Sequence, residues 1–141
     1  MIKKFPKVVI IIFFLSSSIL EANNQYFEEG LIFFKNKKFD EAKFKFEQDI
    51  VFNPKSENSY LYLSKIFKYL KKKELEEQNL KTVILLNPLN EEAILNLAKL
   101  KLDSSDYKKS KELNDRLAEL CKKFCNQSKD LKNEIENLSK K

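Results

Sequence analysis

One spacing recurs along this chain and limits what it can fold into. Pro54 and Pro88, Tyr26 and Tyr60, and Phe33 and Phe67 are each 34 residues apart (88 − 54, 60 − 26, 67 − 33). Three landmarks sharing one offset define a unit that is written at least twice. A fixed period of that size marks a helical array, in which each unit covers its neighbour's apolar side. The first copy carries Tyr26, Gly30, Phe33, Phe39, Ala42, Phe46 and Pro54; the second carries Tyr60, Leu63, Ser64, Phe67, Leu80 and Pro88. One Gly and three Pro in 141 residues leave too little turn chemistry for a sandwich or barrel. The expected fold is all-α.

Each unit reads as two antiparallel helices. In the first they run over about 24–35 and 39–52, joined by the polar turn Asn36-Lys37-Lys38. Gly30 and Ala42 are small where the two backbones approach, and Phe33, Phe39 and Phe46 fill the space beside them. Pro54 cannot continue a helix and biases Asn53 away from helical angles. In the second unit Ser56 or Asn58 caps the opening helix, Lys71-Lys72-Lys73 turns the chain, and Leu75, Leu80, Val83 and Ile84 face inward. A third unit opens at Asn90-Glu91-Glu92, with acids placed for a helix N-terminus. It keeps Ile94, Leu97, Ala98 and Leu102, turns at residues 103–106, and places Ser110 at a small position. Leu113, Leu117, Leu120 and Phe124 then continue at steps of four, three and four, which predicts a helix over about 107–124. Ser128 opens a last helix whose Leu131, Ile135 and Leu138 share one side, as the cap of an open array requires.

These residues resemble the tetratricopeptide repeat, whose pattern runs W-x2-L-G-x2-Y, A-x3-F, P. Tyr26, Gly30 and Phe33 match its first half, and Ala42, Phe46 and Pro54 its second. Glu29 departs where the pattern wants Leu, Asp49 and Glu76 where it wants a small residue, and Lys101 where it wants an aromatic. The resemblance implies a helix-hairpin solenoid of three repeats over residues 23–126 (about 23–56, 57–90 and 91–124), followed by a capping helix over 127–141.

The resemblance also implies that the first helix of each pair lines a concave surface. Its exposed positions are then Phe27, Leu31, Phe34 and Lys35; Leu61, Tyr62, Lys65, Lys68 and Tyr69; and Leu95, Asn96 and Lys99. Such an apolar, aromatic and lysine-bearing strip suits a peptide segment with apolar anchors and some negative charge. Phe27 and Leu31 have an alternative use in packing on neighbouring helices. They also occupy positions where relatives that grip a C-terminal carboxylate carry Lys or Asn, which argues against that mode.

The N-terminus carries Lys3, Lys4 and Lys7, then an apolar run over 8–20 broken by three serines, then small and polar residues. That order is the signature of a secretory signal peptide over 1–22, cut after Ala22 or else after Ser18. An uncleaved anchor, associating with the membrane through residues 5–20, is the alternative, although the run falls short of the roughly 20 residues a span needs. Heavy use of Lys, Asn, Ile and Phe fits an AT-rich bacterial genome, so the expected location is the periplasm or cell envelope.

Little points to bond chemistry. There is no His, which removes the usual general base and the commonest metal ligand. Gly30 alone cannot make a phosphate loop. Net charge is +6, from 27 basic and 21 acidic residues with the signs interleaved, which describes solvated helix faces and gives no nucleic-acid footprint. Cys121 and Cys125 lie four apart on a predicted helix. That geometry aims their side chains poorly at each other, so two inert thiols are expected. A bridge, which an oxidising compartment favours, and a reactive site are the lesser alternatives. The expectation is therefore a protein-interaction scaffold of unknown oligomeric state, with no catalysis, no cofactor and no metal. Its rivals are a membrane-anchored subunit of an envelope complex and a thiol-redox protein.

Overall fold

The computed structural model describes residues 25–140, and every regular element among them is an α-helix. The leader expected over 1–22 lies outside the described residues. Helix α1 covers residues 25–35, α2 Phe39–Phe52, α3 Glu57–Tyr69, α4 Lys73–Leu86, α5 Glu91–Asp103, α6 Tyr107–Leu120 and α7 Cys125–Leu138. No described helix is long and apolar enough to cross a membrane. The chain packs as two compact units, one ending at Ser56 and one beginning at Glu57.

The first unit is the hairpin α1–α2. Ala42 and Phe46 are fully buried. An ideal Cβ added to Gly30 would stand 2.6 Å from the Phe46 ring, so only glycine lets the two helices close at this point. Rings fill the rest. Phe27 lies tilted against Phe46 at 5.7 Å, Phe34 meets Phe39 edge-on at 5.6 Å, and Tyr26 stacks on Phe52 at 5.3 Å. Glu29, the departure from the leucine of the pattern, reaches across to Lys45 at 2.5 Å.

In the second unit, Leu80 and Val83 of α4, Ala93, Ile94, Leu97 and Ala98 of α5, Leu113 and Leu117 of α6, and Leu131 and Ile135 of α7 form one core. The small position at Ser110 is fully buried, and its hydroxyl donates to the Ala98 carbonyl at 2.8 Å, joining α6 to α5. Lys101, standing where an aromatic belongs, pairs with Glu77 at 2.7 Å. Asn90 caps α5 by accepting from the Ala93 amide, and Asp106 caps α6 by accepting from the Lys109 amide.

The 34-residue period is also written in the backbone. Lys37, Lys71 and Ser105 all have positive φ (59°, 56° and 60°), one in each hairpin turn. After each of them an amide returns to the helix just left: Lys38 to Phe33, Lys72 to Phe67 and Asp106 to Lys101. This is the left-handed helix ending that glycine normally occupies.

Three expectations need correction. Leu75 is exposed rather than inward-facing. Helix α6 stops at Leu120 instead of running to Phe124, because Cys121 turns left-handed (φ 29°). The last helix starts at Cys125, three residues before Ser128, with Leu131 and Ile135 on its buried side.

Replacing Lys71 or Ser105 by Gly relieves a left-handed strain and should stabilise the fold by about 1 kcal/mol each in urea unfolding. Gly30→Ala should cost about 1–3 kcal/mol in the same measurement, since the buried Phe46 ring has to move.

Candidate functional site

In the second unit the first helices of two hairpins, α3 and α5, stand side by side, tied by Lys65 of α3 to Glu92 of α5 at 2.8 Å. The same ammonium lies 4.5 Å from the centre of the Tyr62 ring, a cation–π contact that fixes both side chains. Lys68 and Tyr69 are exposed at the far end of α3, and Asn96 and Lys99 are half-buried on α5. These six residues (Tyr62, Lys65, Lys68, Tyr69, Asn96 and Lys99) are exposed or half-buried. Leu61 and Leu95 are not. Only 5% and 4% exposed, they belong to the core, because α3 and α5 each bury more than the single stripe that spacing alone assigns. In the first unit Phe27, Leu31 and Phe34 are half-buried and Lys35 is exposed. The rings of Phe27 and Phe34 are engaged inside their own hairpin, the alternative use foreseen for Phe27.

At the N-terminal ends of α3 and α5 lies a cleft of about 380 Å³ that the sequence reading missed. It is lined by Asn58 and Leu61 of α3, residues 89–92, and the 122–124 loop between α6 and α7. Two glutamates one period apart hold parts of its lining in place, Glu57 through Asn90 and Glu91 through residues 122–124. Glu57, in the first turn of α3, accepts from the side-chain amides of Asn87 (3.0 Å) and Asn90 in the loop that closes its own hairpin. Glu91, in the first turn of α5, does the same more fully. It accepts the backbone amides of Lys122 (2.9 Å), Lys123 (2.8 Å) and Phe124 (3.0 Å). The Lys123 amide is the largest influence holding the Glu91 carboxyl below the usual carboxylate range. The Phe124 and Lys122 amides add to it, and burial opposes it. The 34-residue offset between Glu57 and Glu91 is the signal that could have revealed the arrangement.

The loop that Glu91 holds is closed by a disulfide between Cys121 and Cys125, whose Cα atoms are 4.9 Å apart. The expectation of inert free thiols is thereby overturned. Its premise of a continuous helix failed at Cys121, and outside a helix the two side chains meet readily. The Asn114 side chain donates to the Ser128 carbonyl at 3.0 Å and fastens α6 to α7.

Within the cleft the carboxylates are already answered, Glu91 by amides and Glu92 by Lys65. Lys122 and Lys123 are exposed, Leu89 is 61% exposed, and Phe124 is half-buried. The cleft therefore offers cations and apolar surface together. Among the described residues no group of three or more His, Cys, Asp or Glu side chains is placed to hold a metal ion.

Glu76 takes the alanine position of the pattern on α4 and is 4% exposed; burial raises its pKa. Glu77 beside it is lowered, first by its bond to Lys101 and then by Lys81.

Neither family models nor curated proteins match this sequence. Solved structures do. The TPR2B domain of yeast Sti1 in complex with pHsp70 superposes with a TM-score of 0.75 at 13% identity, covering 82% of this chain and 97% of that one. The type III secretion chaperone SycD of Yersinia enterocolitica, in complex with a peptide of the translocator YopD, gives 0.75 at 13%, covering 86% and 96%. The first TPR of Spaghetti (RPAP3), bound to an HSP90 peptide, gives 0.74 at 19%, covering 83% and 93%. The fold is that of the tetratricopeptide repeat.

Glu91→Gln should lower the thermal midpoint by several degrees at pH 7. The folded carboxyl titrates below its ordinary value of 4.5, so its contribution is complete above that pH and disappears as the pH falls through the folded value. The gap between parent and variant should close on acidification below 4.5 in a series of thermal melts.

Proposed function

We propose that this protein is an interaction module that holds a peptide segment of a protein partner, without bond chemistry. The segment lies along the α3–α5 face and ends in the adjoining cleft. The observation that carries this reading is the cleft itself. Its carboxylates are engaged internally, so Lys122 and Lys123 present positive charge beside the apolar surface of Leu89 and Phe124. That chemistry fits an acidic segment with one apolar side chain. Support for the mode comes from the fold, since the structures named above carry bound peptides or protein complexes. The mechanism is complementarity to a surface held ready by Glu57, Glu91 and the Lys65–Glu92 pair, which lowers the ordering cost of capture. The N-terminal sequence pattern supports the bacterial cell envelope as the setting.

Panning a displayed library of random dodecapeptides on the full chain tests this. The expected result is enrichment of acidic sequences around one apolar residue. Affinity of the selected peptide should fall about tenfold or more with Lys122→Glu plus Lys123→Glu, and also with Tyr69→Glu, while the thermal midpoint stays near the parent's. No enrichment, or binding indifferent to both variants, overturns the reading.

A further inference from the structure

The loop of residues 121–125 is held from two directions. The Cys121–Cys125 bridge closes it on one side, and the Glu91 carboxylate gathers its three inner amides on the other. The same three residues form one wall of the cleft. The sequence pulls the opposite way. Leu113, Leu117, Leu120 and Phe124 continue the apolar stripe of α6 at helical spacing, so a longer α6 is locally favoured. In that longer helix the amides of 122–124 would bond to carbonyls one turn back and could not reach Glu91. Two cysteines at i and i+4 of an α-helix are also poorly placed to bridge. The bridge and the Glu91 clasp therefore belong to one arrangement, and the extended helix to another.

We propose that the Cys121–Cys125 disulfide is a reducible latch that holds the 122–124 wall on Glu91 and so keeps the cleft in its binding form. The geometry sets the direction of the chemistry. Cys121 is the more exposed of the two, and Cys125 is the first residue of the 14-residue α7. A helix N-terminus stabilises a thiolate, which makes Cys125 the better leaving group and Cys121 the sulfur attacked. A thiolate of a dithiol reductant bonds to the Cys121 sulfur, and the S–S bond breaks with its electron pair on Cys125. The reductant's second thiol then closes its own disulfide and releases Cys121. Two electrons and two protons pass from the dithiol to the pair, and reoxidation reverses each step. Once the bridge is gone, Cys121 no longer has to keep its left-handed backbone (φ 29°).

The effect on ligand rests on the peptide-binding reading; the latch itself does not, and a cycle on the unliganded full chain tests it. Thermal midpoints are measured for parent and Glu91→Gln, each oxidised, each reduced with dithiothreitol, and each in the Cys121→Ser plus Cys125→Ser background. The expected result is that Glu91→Gln costs several degrees in the oxidised chain and nothing measurable in the reduced or serine forms. An equal cost in all three backgrounds overturns the proposal, as does a bridge that yields no free thiols to dithiothreitol in the folded protein. In a separate arm, the peptide selected above should bind the reduced chain about tenfold more weakly. Equal binding there removes the gating role. Failure to select any peptide would count against the peptide-binding reading while leaving the cycle able to decide the latch.

Discussion

Helix α5 cannot hide its apolar surface alone, and the second unit is arranged around that constraint. Eight of its 13 residues are buried, including Ala93, Ile94, Leu95, Leu97, Ala98, Leu100 and Leu102. A helix apolar on nearly every side needs neighbours all round. Helices α4, α6 and α7 all pack on it, and α3 is tied to it by the Lys65–Glu92 pair. Helix α7 shows why an array must be finished. Its Leu131 and Ile135 join the core, while its other face is mostly exposed and polar. A sequence that stopped at α6 would leave part of this core to water, at roughly 25 cal/mol for each Å² of apolar surface exposed.

Around that core, the same hardware recurs from different residues. Three hairpin turns pass through a left-handed residue, and the chain uses Lys, Lys and Ser where glycine is easier. It tolerates the strain because each turn also closes a backbone bond to the preceding helix, and because the packed helices fix where the turn must lie. Glu57 and Glu91 repeat a second device, a carboxylate in the first turn that grips the loop ending its own hairpin. A helix N-terminus already favours that charge, so one glutamate serves both its helix and the loop.

Much of this was legible. The bounds of α2, the three hairpin turns, the close approach at Gly30 and the small position at Ser110 follow from the 34-residue spacing and from residue size. Side-chain reach was not legible. Nothing local says that Glu91 bonds to amides more than thirty residues away, and so the cleft stayed hidden. Leu61 and Leu95 were misplaced for a related reason. Spacing gives one apolar stripe per helix, whereas helices covered on several sides bury residues beyond it. Glu76 read as a defect in the pattern and is one in physical terms: a carboxylate at an alanine's place, its charged form disfavoured by burial.

The error at Cys121 has a different cause from these. Local preference there was read correctly, since the stripe does run on to Phe124, but a covalent bond and three amide–carboxylate bonds outweigh it. Natural sequences agree across levels almost everywhere, and places where helical patterning and tertiary structure conflict are expected at functional or strained sites. Here the conflict falls on the wall of the cleft. A continuous α6 would keep Leu120 and Phe124 on one regular face. The turn instead brings Lys122, Lys123 and Phe124 round to the starts of α3 and α5, where cations and a ring meet Leu89. Local helix preference is given up at the position where doing so builds one wall of the cleft.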